Sequence, residues 1–118
     1  MLSNEDIKTI QNLYKEEKYE QLIDVCEDFK KSSPDDENLL NTLGLVYLLI
    51  NNPSEAKNNL LKSYKIRKTD LNCLYNLSLS LSHLYEYEEA YKYLNELIAI
   101  DEGYKDAILF LAQTSLKL

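Results

Sequence analysis

Leu40-Asn41-Thr42-Leu43-Gly44-Leu45-Val46-Tyr47-Leu48-Leu49-Ile50-Asn51-Asn52-Pro53-Ser54-Glu55-Ala56 decides the fold of this chain. Leu40, Leu43, Gly44 and Tyr47 are spaced three, one and three apart, which puts them on one side of a helix. A glycine inside a helix costs about 1 kcal/mol relative to alanine, so Gly44 marks a place where another backbone comes close. Asn51-Asn52-Pro53 breaks that helix. Asn52 then reads as the cap of a second one, with Pro53 as its first residue and Glu55 reaching back to the cap. The stretch is a helical hairpin closed at a small residue.

The surrounding composition agrees. The chain has 118 residues with two Gly and two Pro, too few turn formers for a β protein, so the reading is all-α. A net charge of −7 argues against binding a phosphate backbone, so no nucleic acid is expected as a partner. The opening residues, Met1 to Asp6, are acidic and carry no apolar signal segment. No run approaches the ~18 apolar residues of a membrane span. A cytoplasmic protein without membrane contact is expected. Cys26 and Cys73 lie in apolar-periodic stretches and read as buried free thiols, although a disulfide between them is open in principle.

Shifting the sequence against itself by 34 residues brings its elements into register. Leu40 aligns with Leu74, Leu43 with Leu77 and Gly44 with Ser78. Leu22, Ala56 and Ala90 coincide, as do Cys26, Leu60 and Leu94, then Phe29, Ser63 and Leu97. Tyr19, Pro53 and Tyr87 mark one helix entry. This predicts helices over 4–16, 19–32, 36–50, 53–67, 71–84, 87–100 and 104–117.

The pattern Leu40-x-x-Leu43-Gly44-x-x-Tyr47 with Ala56-x-x-x-Leu60 resembles the tetratricopeptide repeat, with Leu in place of that family's Trp and of its later aromatic. Residues 3–36 form the most divergent copy, with Ile10 at the small position and Leu22 for the Ala, yet they keep the closing proline as Pro34. The resemblance implies a single domain over 1–118, with repeats at about 3–36, 37–70 and 71–104 and a terminal helix at 105–118. It further implies a right-handed α-solenoid of antiparallel helix pairs, about seven helices in all, with a concave face lined by first helices. Second helices would form the convex face, carrying the stripe Lys57, Lys62, Lys65, Arg67 and Lys68. Asp6 and Thr9 replace Leu40 and Leu43 in the first helix, which suits a solvated end. The last helix, around Ala107 to Ala112 and on to Leu116 and Leu118, is apolar on more than one side. Three outcomes fit it: continuation of the array, self-association, or tolerated exposure.

Chemistry-bearing constellations are absent. His83 is the one histidine and has no partner at ligand spacing, so no metal is expected. Gly44 and Gly103 are isolated and form no phosphate loop. Ser78, Ser80 and Ser82 are spread around a helix, and pairs such as Glu88-Glu89 read as solvated helix starts. No catalytic residue and no cofactor is expected, and the protein reads as a non-enzyme. Most of the ten tyrosines fit inter-helix packing with the hydroxyl reaching water.

What remains is the groove that the resemblance implies. Its lining begins with Ile7, Gln11 and Tyr14, then Asn38, Asn41, Thr42, Leu45 and Leu49. Asn72, Tyr75, Asn76, Leu79 and His83 follow, then Leu109, Phe110 and Gln113. Leucines and aromatics offer burial, while Asn and Gln can bond a peptide's amides. Asn4, Asn38 and Asn72 have a competing reading as helix caps. The family's two-carboxylate clamp falls on Ile7, Gln11, Thr42, Asn72 and Asn76, where every cation is missing. Acidity gathers at Asp70, Glu86, Glu88, Glu89, Glu96, Asp101 and Glu102, facing only Lys92, so a charge-steered partner would carry a basic stretch. The expected function is a protein-interaction module that binds a peptide or protein segment in the groove. The alternatives are the amino-terminal recognition or assembly arm of a larger enzyme such as a transferase, and a self-associating scaffold.

Overall fold

The computed structural model describes residues 2–118. Seven helices follow one another: α1 (Asn4–Lys15), α2 (Tyr19–Ser32), α3 (Glu37–Leu49), α4 (Pro53–Ile66), α5 (Leu71–His83), α6 (Tyr87–Ile100) and α7 (Lys105–Ser115). Each expected helix is present, with ends displaced by no more than a few residues. No strand occurs among the described residues.

Each helix packs on its chain neighbours, and α3 also touches α5, giving an elongated row of 43 × 25 × 22 Å. Positions in register share their burial. Leu40, Leu43, Leu74 and Leu77 are fully enclosed, and so are Leu22, Ala56, Ala90, Cys26, Leu60 and Leu94. At the seam of α3 and α4, a methyl group added to Gly44 would collide with the Leu60 side chain. A side chain occupies the space that the glycine leaves, where a backbone had been expected. Ser78 repeats the seat in α5 and turns its hydroxyl onto the Leu74 carbonyl at 2.8 Å.

The helix ends repeat as well. Glu17, Asn51 and Tyr85 take positive φ of 58°, 63° and 62°. The following N–H groups of Lys18, Asn52 and Glu86 donate to Leu13, Tyr47 and Leu81 carbonyls at 2.9, 2.8 and 2.8 Å. This six-to-one bond, with a left-handed residue before it, is the Schellman ending of a helix. It also corrects the capping expected at α4. Glu55 N–H does donate to Asn52 Oδ1 at 3.3 Å. The Asn52 N–H, however, is already spent on Tyr47, so no return bond from Glu55 is needed. A reciprocal capping box forms at α1 instead, between Ser3 and Asp6.

Asn4, Asn38 and Asn72 do not cap. They sit inside the first turns of α1, α3 and α5, and the caps are Ser3, Asp36 and Asp70. The two aspartates accept from Leu39 N–H at 3.0 Å and Cys73 N–H at 3.2 Å. A carboxylate there also meets the positive end of the helix dipole.

α1 contains no fully buried residue. With Asp6 and Thr9 where α3 has leucines, and with Ile10 at the small position, it has little apolar surface to sink and no seat for a close neighbour.

Candidate binding groove

The first helices α1, α3 and α5 present Asn38, Thr42, Leu45 and Leu49 on α3 and their register mates Asn72, Asn76, Leu79 and His83 on α5. Spacings of four, three and four keep each set on one face. Asn38, Asn72 and His83 are exposed, Leu49 is about half exposed, and Thr42, Asn76, Leu45 and Leu79 are half-buried.

On the groove face a concavity lies between α1 and α3. Two adjoining clefts of about 340 and 470 Å³ lie there. Ile7, Ile10, Gln11, Asn38, Leu39 and Thr42 line the first together with Leu2 and Asp36. Ile10, Gln11, Tyr14, Thr42 and Leu45 line the second. The structure thus brings together Ile7, Gln11, Tyr14, Asn38, Thr42 and Leu45. Leu2, Ile10, Asp36 and Leu39 join them without having been expected. Ile10 carried a signal, since it is the large residue at a position that is small in α3 and α5.

The remaining groove candidates lie elsewhere. Asn41, Tyr75 and Leu109 share one register position, and on α3 and α5 that position faces the next first helix in the row. Asn41 Nδ2 donates to Asp70 Oδ2 at 3.0 Å, at the cap of α5. Tyr75 stacks on Tyr104 with ring centres 5.7 Å apart and meets Phe110 edge-on at 6.0 Å. Burial in that seam, then Asp106 nearby, pushes the Tyr75 phenol up. Leu109 is exposed at the end of the row. Phe110 and Gln113 line a separate small hollow with Ser82, Tyr87, Thr114 and Lys117.

The acidity is distributed differently from expectation. Glu86 pairs with Lys57 at 2.7 Å, Glu96 accepts from the Tyr64 hydroxyl at 2.5 Å, and Asp70 accepts from Arg67 at 3.3 Å. Arg67 also bridges to Glu37. These carboxylates therefore do not face Lys92 alone; they stitch neighbouring helix pairs. Glu88, Glu89 and Glu102 remain exposed, as do Lys62 and Lys65 on the second helix α4 and Lys68 just past its end.

Cys26 and Cys73 are free and buried. Burial pushes their thiols up to about 12 and about 11, which keeps them protonated. Cys73 donates its S–H to the Leu60 carbonyl at 3.4 Å. Among the described residues no cluster of three His, Cys, Asp or Glu could hold a metal, and no helix is long and apolar enough to cross a membrane.

Antiparallel helix pairs with small-residue seams, stacked in one row, define an all-α helical solenoid of the tetratricopeptide type. Residues 13–97 match the model described as anaphase-promoting complex, cyclosome, subunit 3, so the chain belongs to that family of tetratricopeptide-repeat proteins. Among solved structures it resembles the first TPR of Spaghetti (RPAP3) bound to HSP90 peptide SRMEEVD. The identity there is 16%, the match covers 92% of this chain and 86% of that one, and the TM-score is 0.87. The second TPR domain of human RPAP3, in complex with HSP70 peptide SGPTIEEVD, matches at 17% identity, 93% and 92% coverage and a TM-score of 0.86. MamA matches at 23% identity and a TM-score of 0.86 over 89% of this chain, which spans only 61% of MamA. At these identities the likeness is one of fold. No curated protein sequence matches.

Proposed function

We propose that this chain is a protein-interaction module that binds a peptide or protein segment along the face of its first helices. The observation that carries the reading is the pair of clefts between α1 and α3. They combine Ile7, Ile10, Tyr14 and Leu45 with the amides of Gln11 and Asn38, and Asp36 is the single charged residue in their lining. Apolar walls with a few convergent polar groups suit a ligand side chain held beside a bonded backbone. The division that goes with this reading is into pairs 3–36, 37–70 and 71–104 followed by a terminal segment, 105–118, that contains α7, in one domain over 1–118. Asn72, Asn76, Leu79 and His83 on α5 extend the same face. Related folds carrying chaperone peptides and the match to a complex subunit support a binding role.

The ligand differs from those peptides. SRMEEVD and SGPTIEEVD end in acids, and here Ile7, Gln11, Thr42, Asn72 and Asn76 stand where the family's clamp has its charged and amide groups. Without a cation, desolvating two carboxylates goes uncompensated. An uncharged or basic segment with apolar anchors fits instead.

Selection from a displayed peptide library tests this. Selected peptides should lose at least about tenfold in affinity, equivalent to 1.4 kcal/mol, against Ile7→Glu/Tyr14→Glu. Both side chains are partly exposed, so circular dichroism should report intact helices. SRMEEVD should bind no better than its scrambled form. Selected peptides that bind the double variant undiminished would overturn the site.

A further inference from the structure

The seam position occupied by Gly44 and Ser78 falls on Ala112 in α7. In α3 it is covered by Leu60 and in α5 it is fully buried, whereas Ala112 is exposed. Around it Ile108, Leu109 and Leu116 are 42%, 63% and 86% exposed. At 100° per residue, Ile108, Leu109, Ala112 and Leu116 share a stripe about 100° wide. No charged residue lies between Asp106 and Lys117, in a chain of net charge −7.

We propose that α7 pairs antiparallel with α7 of a second copy, about a two-fold axis through Ala112. The stripe is large–small–large with equal spacing on both sides, Ile108 and Leu116 each four residues from Ala112. Rotation by 180° therefore lays Ile108 of one copy on Leu116 of the other and brings the two Ala112 residues together. That is the self-complementarity an isologous contact requires, and the alanine lets the helix axes approach closely. The paired stripe itself contains no charged side chain. The pairing also sets Lys105, ill placed at the positive end of its own helix, beside the negative end of the other α7. One helix face per copy lies at the small end of stable interfaces, so association is weak and depends on concentration.

Sedimentation of the 118-residue chain, 13.8 kDa as a monomer, from about 10 µM to about 1 mM should show mass rising toward twice that value. Leu116→Glu should shift the midpoint upward at least about tenfold, by leaving a charge on the buried stripe. Under mild oxidation Ala112→Cys should cross-link to itself. Ile108→Cys should cross-link to Leu116→Cys in a mixture and not to itself, because the bond demands close Cα atoms. Cys26 and Cys73 are buried and do not compete. A chain that stays monomeric throughout, or self-linking by Ile108→Cys, as a parallel pairing or a different partner surface would give, would overturn the proposal.

Discussion

Gly44 owes its place to Leu60. Replacing it with alanine would gain about 1 kcal/mol of helix propensity, but the new methyl would run into a leucine that is fully enclosed and cannot swing aside. Overpacking of this kind costs about 1–3 kcal/mol. Gly44→Ala should therefore lower the thermal midpoint, with a net loss on the order of 1 kcal/mol, and adding Leu60→Val should recover part of it. A rise in Tm for the single variant, followed by circular dichroism, would contradict the packing. The need for a small residue here was legible in the sequence. What fills the gap was not, because periodicity reports which face is buried and not which atoms arrive from the other side. Asn41 makes the same point: its engagement by Asp70, 29 positions away, is a product of helix stacking.

At the scale of the elements, the first three hairpin turns all use the same ending, and only Asn51 among its left-handed residues is of a type that tolerates the conformation. Glu17 and Tyr85 hold it at a cost of about 1–2 kcal/mol each. Tyr85→Gly should stabilise the protein by about 0.5–1 kcal/mol after the added flexibility of the unfolded chain is deducted. Asp101→Gly, at an extended φ of −133°, should give no gain. Equilibrium urea unfolding separates the two, and an equal effect of both would refute the strain. Without a glycine or asparagine, the turns at Glu17 and Tyr85 gave no signal in the sequence beyond the helix boundary itself. The helices were easier to read, because each is dictated by apolar residues recurring along its own length. The caps were partly misassigned, since Asp36 and Asn38 are both competent caps and a shift of two residues decides between them.

On the scale of the whole molecule, stability comes from neighbours stacked in a row, tied by Lys57–Glu86, Arg67–Glu37, Asn41–Asp70 and Tyr64–Glu96. The row also makes the fold sensitive to alkali. Burial raises the Cys26 and Cys73 thiols from 9.0 to about 12 and about 11. Burial raises Tyr47 from 10.0 to about 12, and the hydrogen bond to Glu96 raises Tyr64 from 10.0 to about 12. Folding favours the neutral form of each group, so its contribution is complete below the unfolded value and is lost as pH climbs toward the folded one. The urea midpoint should begin to fall near pH 9 and drop steeply toward pH 11–12. A midpoint unchanged across that range would show that these groups are not held neutral. The sequence by itself determined the seven helices, their 34-residue register and the small-residue seams, because each depends on residues within one or two turns of chain. Only the tertiary structure decided where the row opens. α1, with Asp6, Thr9 and Ile10 in place of leucines and a small residue, cannot sink against its neighbours as α3 and α5 do, and the clefts lie between it and α3. Asn41 and Tyr75, expected on the same face, are taken up by the next helix in the stack, because a side chain's partner is set by the placement of helices and not by its own spacing.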